Sequence, residues 1–166
     1  MTHTHDVSVC GTYILDILGV PVTEIPPGGS RVFLDEIRLT VAGTAGGTVV
    51  PCARLGLKAL AVGAVGTDEK ADWIINTLDN EGIDSSLMER IEGAPTSATI
   101  LPIRPDGSRP VLHARAGAFR PTCKRPRAKA RCCISAASAR CSQWTANRAS
   151  RCCAMRRPPA ASRQSI

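Results

Sequence analysis

No stretch of this sequence is apolar for long enough to cross a membrane as a helix. The opening, Met1-Thr-His-Thr-His-Asp6, has no basic segment followed by an apolar one, so no secretory leader is expected and a cytoplasmic location is. No Gly-Lys-Ser/Thr follows a glycine-rich turn, which excludes a Walker A phosphate loop, and the glycine spacing does not fit the dinucleotide fingerprint. Zinc is not expected either. The close cysteine pairs, Cys132-Cys133 and Cys152-Cys153, are adjacent rather than Cys-x-x-Cys, and no histidine follows His113.

One further absence divides the chain. Residues 119–166 contain no Asp or Glu but hold twelve Lys or Arg. The first 118 residues carry nine basic and fourteen acidic side chains, a net charge of about −5, although the whole chain sums to +7. Cysteine divides the same way: only Cys10 and Cys52 lie in the first part, and they read as ordinary buried thiols of a reducing compartment. The expected organisation is therefore residues 1–118 as folded sequence and residues 119–166 as a basic, Arg/Cys-rich tail.

The tail shows no helical or strand period and too little apolar content for a core, so it is expected to be disordered. Clustered Arg suits a nucleic-acid-binding arm. A disulfide framework would need an oxidising compartment, against the rest of the chain. The preferred reading is translation out of frame. Arg, Ala, Cys, Ser and Pro without acids is what a GC-rich gene gives when misread. Back-translated with GC-rich codons and moved by two bases, residues 131–141 read as an apolar strand and a glycine turn.

The first part alternates strands and helices. Asp6 to Cys10 reads as a buried strand, and Tyr13 to Val20 continues apolar with Asp16 as its one charge. A lone carboxylate there either meets a partner or ligand or faces water. Pro21 to Ser30 is a loop, and Arg31 to Val41 suggests one or two antiparallel strands. Leu57 to Gly66 reads as a buried strand. A helix of about twelve residues follows, started by Thr67 and Asp68, striped by Ala71, Ile74, Ile75 and Leu78, and ended by Gly82. Asp68 is either a plain N-cap or a residue near a site. Ile83 to Ile91 is a strand, and Thr96 to Ile103 with Arg109 to Ala114 forms a hairpin around Pro105-Asp-Gly-Ser108.

Between these lies Val41-Ala-Gly-Thr-Ala-Gly-Gly-Thr48, a glycine-rich turn running into a helix. Thr48 is the expected N-cap, Pro51 falls in the first turn, and Gly56 is the stop. Free N–H groups at such a helix start suit hydroxyl or anion binding. The same turn also occurs as plain structure in α/β proteins. The whole first part mixes βαβ units with antiparallel strands, an α/β Rossmann-like layer plus a small sheet.

In this order the motifs resemble the N-terminal portion of a ribokinase-like (PfkB) carbohydrate kinase. Gly11-Thr-Tyr-Ile-Leu-Asp16 is similar to that family's opening strand with its sugar-binding aspartate. Ala42-Gly-Thr-Ala-Gly-Gly47 through Ala53-Arg-Leu-Gly56 resembles its first signature. Val65-Gly-Thr-Asp68, Glu81-Gly-Ile-Asp84 and His113-Ala-Arg-Ala-Gly-Ala118 resemble later elements. The family often has Asn where Gly47 and Ile14 stand, and both replacements argue against a ribose-type substrate.

The resemblance implies a truncated ribokinase-like fold, a Rossmann-like α/β/α layer with a small antiparallel β lid. It implies that Asp16 binds sugar hydroxyls while Gly43, Thr44 and Gly47 line the sugar. Residues 12–20, 31–41 and the hairpin would form lid strands that cover the sugar and support a homodimer. The reaction implied is transfer of the ATP γ-phosphate, with Mg²⁺, to a hydroxyl of a small-molecule sugar. The family's general base and anion hole lie in a second signature, Asp-Thr-x-Gly-Ala-Gly-Asp, and no such string occurs in these 166 residues. This chain is therefore expected to be inactive and to lack an ATP and Mg²⁺ site. Its parallel sheet would stop partway and leave an unpaired edge strand. The alternative is a non-catalytic protein whose basic tail binds nucleic acid.

Overall fold

Alternating apolar side chains build two sheets from one short chain. The computed structural model describes residues 4–115 and 130–136. In chain order the elements are β1 (His5–Gly11), β2 (Ile14–Val20), β3 (Glu36–Ala42), α1 (Gly43–Arg54), β4 (Ala59–Val65), α2 (Glu69–Asn80), β5 (Asp84–Arg90), β6 (Ala98–Pro102), β7 (Leu112–Ala114) and β8 (Ala130–Ala136).

The first sheet has the order β5-β4-β1-β8, and every pair in it is parallel. Val7 and Val9 of β1 point to the same face as Ala59, Ala61 and Val65 of β4. Ala45 and Val49 of α1 and Ala71, Ile74 and Leu78 of α2 pack there, forming the main core. Residues of opposite parity, Cys10, Leu60 and Val62, make a smaller cluster with Leu87. Tyr13 joins the sheets: its buried hydroxyl donates to the Val9 carbonyl at 3.0 Å, and desolvation holds the phenol well above its usual range. Its ring lies so close to Gly63 that a Cβ there would come within 2.6 Å of it.

The second sheet has the order β3-β2-β6-β7. Its two outer pairs are antiparallel, as expected for a lid, and its central pair, β2 with β6, is parallel. β6 arrives through the β4-α2-β5 passage, so it enters beside β2 in the same direction.

Three expectations need correction. The strand expected from Arg31 begins only at Glu36, because Pro21 to Asp35 is occupied by the proline- and glycine-rich connection. Helix α1 begins at Gly43, not after Thr48, and Pro51 lies well inside it. A proline there leaves the Gly47 carbonyl without its helical partner, but Gly47 is exposed, so water can take that bond. The third correction concerns the tail. Ala130–Ala136 is a strand, paired in parallel with β1 from His5 opposite Ala130 to Gly11 opposite Ala136. β1 is thus paired on both sides, and among the described residues β5 and β8 are the outer strands of the sheet. The remainder of the expected tail lies outside the described residues.

Candidate sugar-facing site

The site is built where the two sheets meet. Gly43 follows the last residue of β3 and opens α1 with a φ of +85°. A Cβ on it would lie 2.5 Å from the Thr12 carbonyl oxygen and 3.1 Å from Ile14 Cγ1, so only glycine fits. This close approach lets Thr12 cap the helix from a distant part of the chain. Its carbonyl accepts from the N–H groups of Ala45 and Gly46 at 3.1 and 3.4 Å, and its Oγ1 accepts from the Thr44 N–H at 3.3 Å. The Thr12 and Thr44 hydroxyls are 3.0 Å apart.

This arrangement corrects the expectation of open N–H groups. The N-terminal donors of α1 are held by Thr12, and the helix has no side-chain cap of its own at Ala42. Thr44 and Gly47, three residues apart, share one exposed face of the helix. A side chain at Gly47 would meet nothing within 4 Å.

Asp16 lies near the middle of β2, with Thr40 of β3 as its register partner on one side and Thr99 of β6 on the other. Thr99 in turn is opposite His113 of β7. Paired residues project to one face of a sheet, so Thr40, Asp16, Thr99 and His113 form a polar row across all four strands. The Thr99 hydroxyl and His113 Nδ1 are 3.1 Å apart. Asp16 is half-buried and has no hydrogen-bond or ion-pair partner among the described residues. Ile14, two residues before Asp16, shares its face and lies over Gly43, which makes the row continuous with the first turn of α1. All four expected residues, Asp16, Gly43, Thr44 and Gly47, therefore belong to one neighbourhood. Thr12, Thr40, Thr99 and His113 were expected only as parts of strands covering the sugar, not as individual members of the site. Strand alternation could place each on a face, but only the register joins them.

Asp68 turns out to be structural. It caps α2, its Oδ1 accepting from the Ala71 N–H at 3.1 Å, while Oδ2 accepts from the Thr96 N–H at 3.0 Å and meets Lys70 Nζ at 2.6 Å. Burial alone would raise its pKa, but the bonds from Lys70, Thr96 and Ala71 together outweigh it and hold the carboxyl well below the usual range.

The family match decides what this assembly belongs to. The model of the pfkB family carbohydrate kinases matches residues 6–137. The chain belongs to that family. The match runs beyond the division expected at Ala118. No curated protein sequence matches the chain. Among solved structures, one named as a ribokinase from Agrobacterium tumefaciens is 29% identical with a TM-score of 0.61, over 68% of this chain and 36% of its own length. A Cryptococcus neoformans ribokinase in complex with ADP has a TM-score of 0.61 at 15% identity, over 78% of this chain and 41% of its own. An Arabidopsis thaliana ribokinase complexed with ribose and ATP has a TM-score of 0.56 at 18% identity, over 67% and 36%. These confirm the ribokinase-like fold. The chain spans well under half the length of each of these three structures.

Proposed function

We propose that this chain is the sugar-facing portion of an ATP-dependent carbohydrate kinase and that alone it does not transfer phosphate. The observation that carries the first half is Asp16. It is a half-buried carboxylate without a hydrogen-bond or ion-pair partner among the described residues, set in a row of hydroxyls beside the glycine-rich start of α1. A carboxylate accepts hydrogen bonds from two vicinal hydroxyls at once, which is the demand a sugar makes. Gly43, Thr44 and Gly47 line the approach, and the open space at Gly47 leaves room for a ligand against the helix.

The second half rests on the donor set. Among the described residues no group of three or more His, Cys, Asp or Glu comes together. The one glycine-rich helix start has its N–H groups taken by Thr12. Among the described residues no site for ATP with Mg²⁺ is assigned, and no phosphoryl-transfer step is routed through them. General-base catalysis alone contributes roughly 10²–10⁴-fold in enzymes that have it. The expected outcome is sugar-dependent ADP release no higher than a blank. Turnover clearly above it sinks the second half of the proposal.

Two linked readings follow from the resemblance. A second copy of the chain covers the outer face of the lid, where Ile37, Leu39, Ile100 and Leu112 are exposed beside a cavity of about 280 Å³ lined by Ile17, Val22, Ile25 and Leu34. Sedimentation of the purified chain as a monomer at micromolar concentration counts against it. The acid-free composition of residues 119–166 supports a shifted reading frame. Re-sequencing the codons for Gly117 to Pro121 should reveal one or two misplaced bases; an unchanged frame rejects the shift.

A further inference from the structure

Resting on the sugar-site reading above, we infer that His113 is a specificity-determining residue, that Thr99 positions it, and that the row they share with Asp16 selects an uncharged sugar. The argument starts from register. Asp16, Thr99 and His113 occupy three neighbouring strands in one line. Two strand spacings separate Asp16 from His113, roughly 9–10 Å between backbones, which leaves the width of one sugar ring between the two side chains. Thr99 sits between them and is only 5% exposed, whereas His113 is exposed. Thr99 is thus the buried member that fixes the imidazole through Nδ1, and His113 is the member open to a ligand.

The chemistry of the two ends is complementary. Ionised Asp16 only accepts hydrogen bonds. In the tautomer in which Nδ1 accepts from the Thr99 hydroxyl, the other imidazole nitrogen of His113 carries the hydrogen and donates. A ligand that gives protons at one end and takes one at the other is a polyol. A carboxylate or phosphate ligand gives nothing to Asp16 and is repelled by it.

Among the described residues, the cation that β2, β3, β6 and β7 themselves place on this face is Arg38, and it is already engaged. Arg38, two residues from Thr40 on the same face of β3, is bound in a fork to Glu36 at 2.9–3.0 Å. Arg115 lies beyond the paired residues of β7.

The test is calorimetric titration of the full chain with D-fructose, D-ribose, D-gluconate and D-fructose 6-phosphate. The neutral sugars should bind at least about tenfold tighter than the two anions. His113→Ala should weaken the best neutral sugar roughly five- to tenfold, the loss of one hydrogen bond, without changing the melting temperature. Thr99→Val should cause a smaller loss, and Thr99→Ser, which keeps the hydroxyl, should restore wild-type affinity. Tighter binding of either anion overturns the inference. Neutral-sugar binding that is lost in Asp16→Asn yet unchanged in His113→Ala also overturns it, while the sugar-site reading stands. If the wild type binds no sugar, the sugar-site reading fails and the inference falls with it.

Discussion

Among the described residues the two sheets have the same number of strands and opposite surroundings. In the parallel sheet, Val9 and Leu60 are fully buried, and two helices seal the main face. In the lid, Ile37, Ile100 and Leu112 stand 51–68% exposed, and the other face carries the row around Asp16. The contrast separates two uses of the same strand pattern. One sheet buries its alternation and supplies stability. The other buries only part of each face, Leu15 and Val41 on the apolar side and Thr99 on the polar side, and leaves the rest open to other molecules.

Substitutions graded by burial should sharpen that contrast. The largest effect is expected in the parallel layer. Ile74→Ala empties a fully buried position of α2 and should cost about 2–5 kcal/mol by chemical denaturation. Gly43→Ala comes next, because it acts at the joint between the sheets. It forces a side chain into positive φ against the Thr12 carbonyl, and should cost about 1–3 kcal/mol.

Asp68→Ala should cost about 1 kcal/mol at neutral pH through the lost cap. Its pH dependence has a definite sign. The folded-state pKa is depressed, so the stabilisation is full above the unfolded carboxylate value of about 3.9 and is lost as pH falls below it. The gap between wild type and Asp68→Ala should therefore narrow in acid. A gap that widens below pH 4 contradicts the assignment. The smallest effect is expected in the lid. Ile100→Ser should change stability by no more than about 0.5 kcal/mol, since the side chain is half in water already. A core-sized loss there would erase the distinction between the sheets.

Local signals made most of the scaffold legible. Asp68 as a cap, the stripe of Ala71, Ile74 and Leu78, and the turn at Asp106-Gly107 all lie within a few residues of what they control. The start of α1 was misplaced by six residues, Thr48 being expected as the N-cap where Ala42 stands, because its cap is not local. Thr12 reaches it across 32 positions of sequence, and no spacing rule reports such a bond. The site divides the same way. Asp16, Gly43, Thr44 and Gly47 were carried by an ordered set of motifs. Thr40, Thr99 and His113 were invisible as partners of Asp16 until three strand registers were fixed. β8 was missed for a related reason: a strand read from Ala-Arg-Cys-Cys-Ile-Ser-Ala has no clean alternation, and its evidence is its pairing with β1.

The central claim is that Asp16 is a ligand-binding carboxylate of a sugar site. It is tested most directly by saturation-transfer NMR on the purified chain with neutral monosaccharides, comparing wild type with Asp16→Asn. The account predicts sugar signals from the wild type and their loss in Asp16→Asn, with both proteins melting at the same temperature. Equal signals from the two proteins, or none from the wild type, would contradict it.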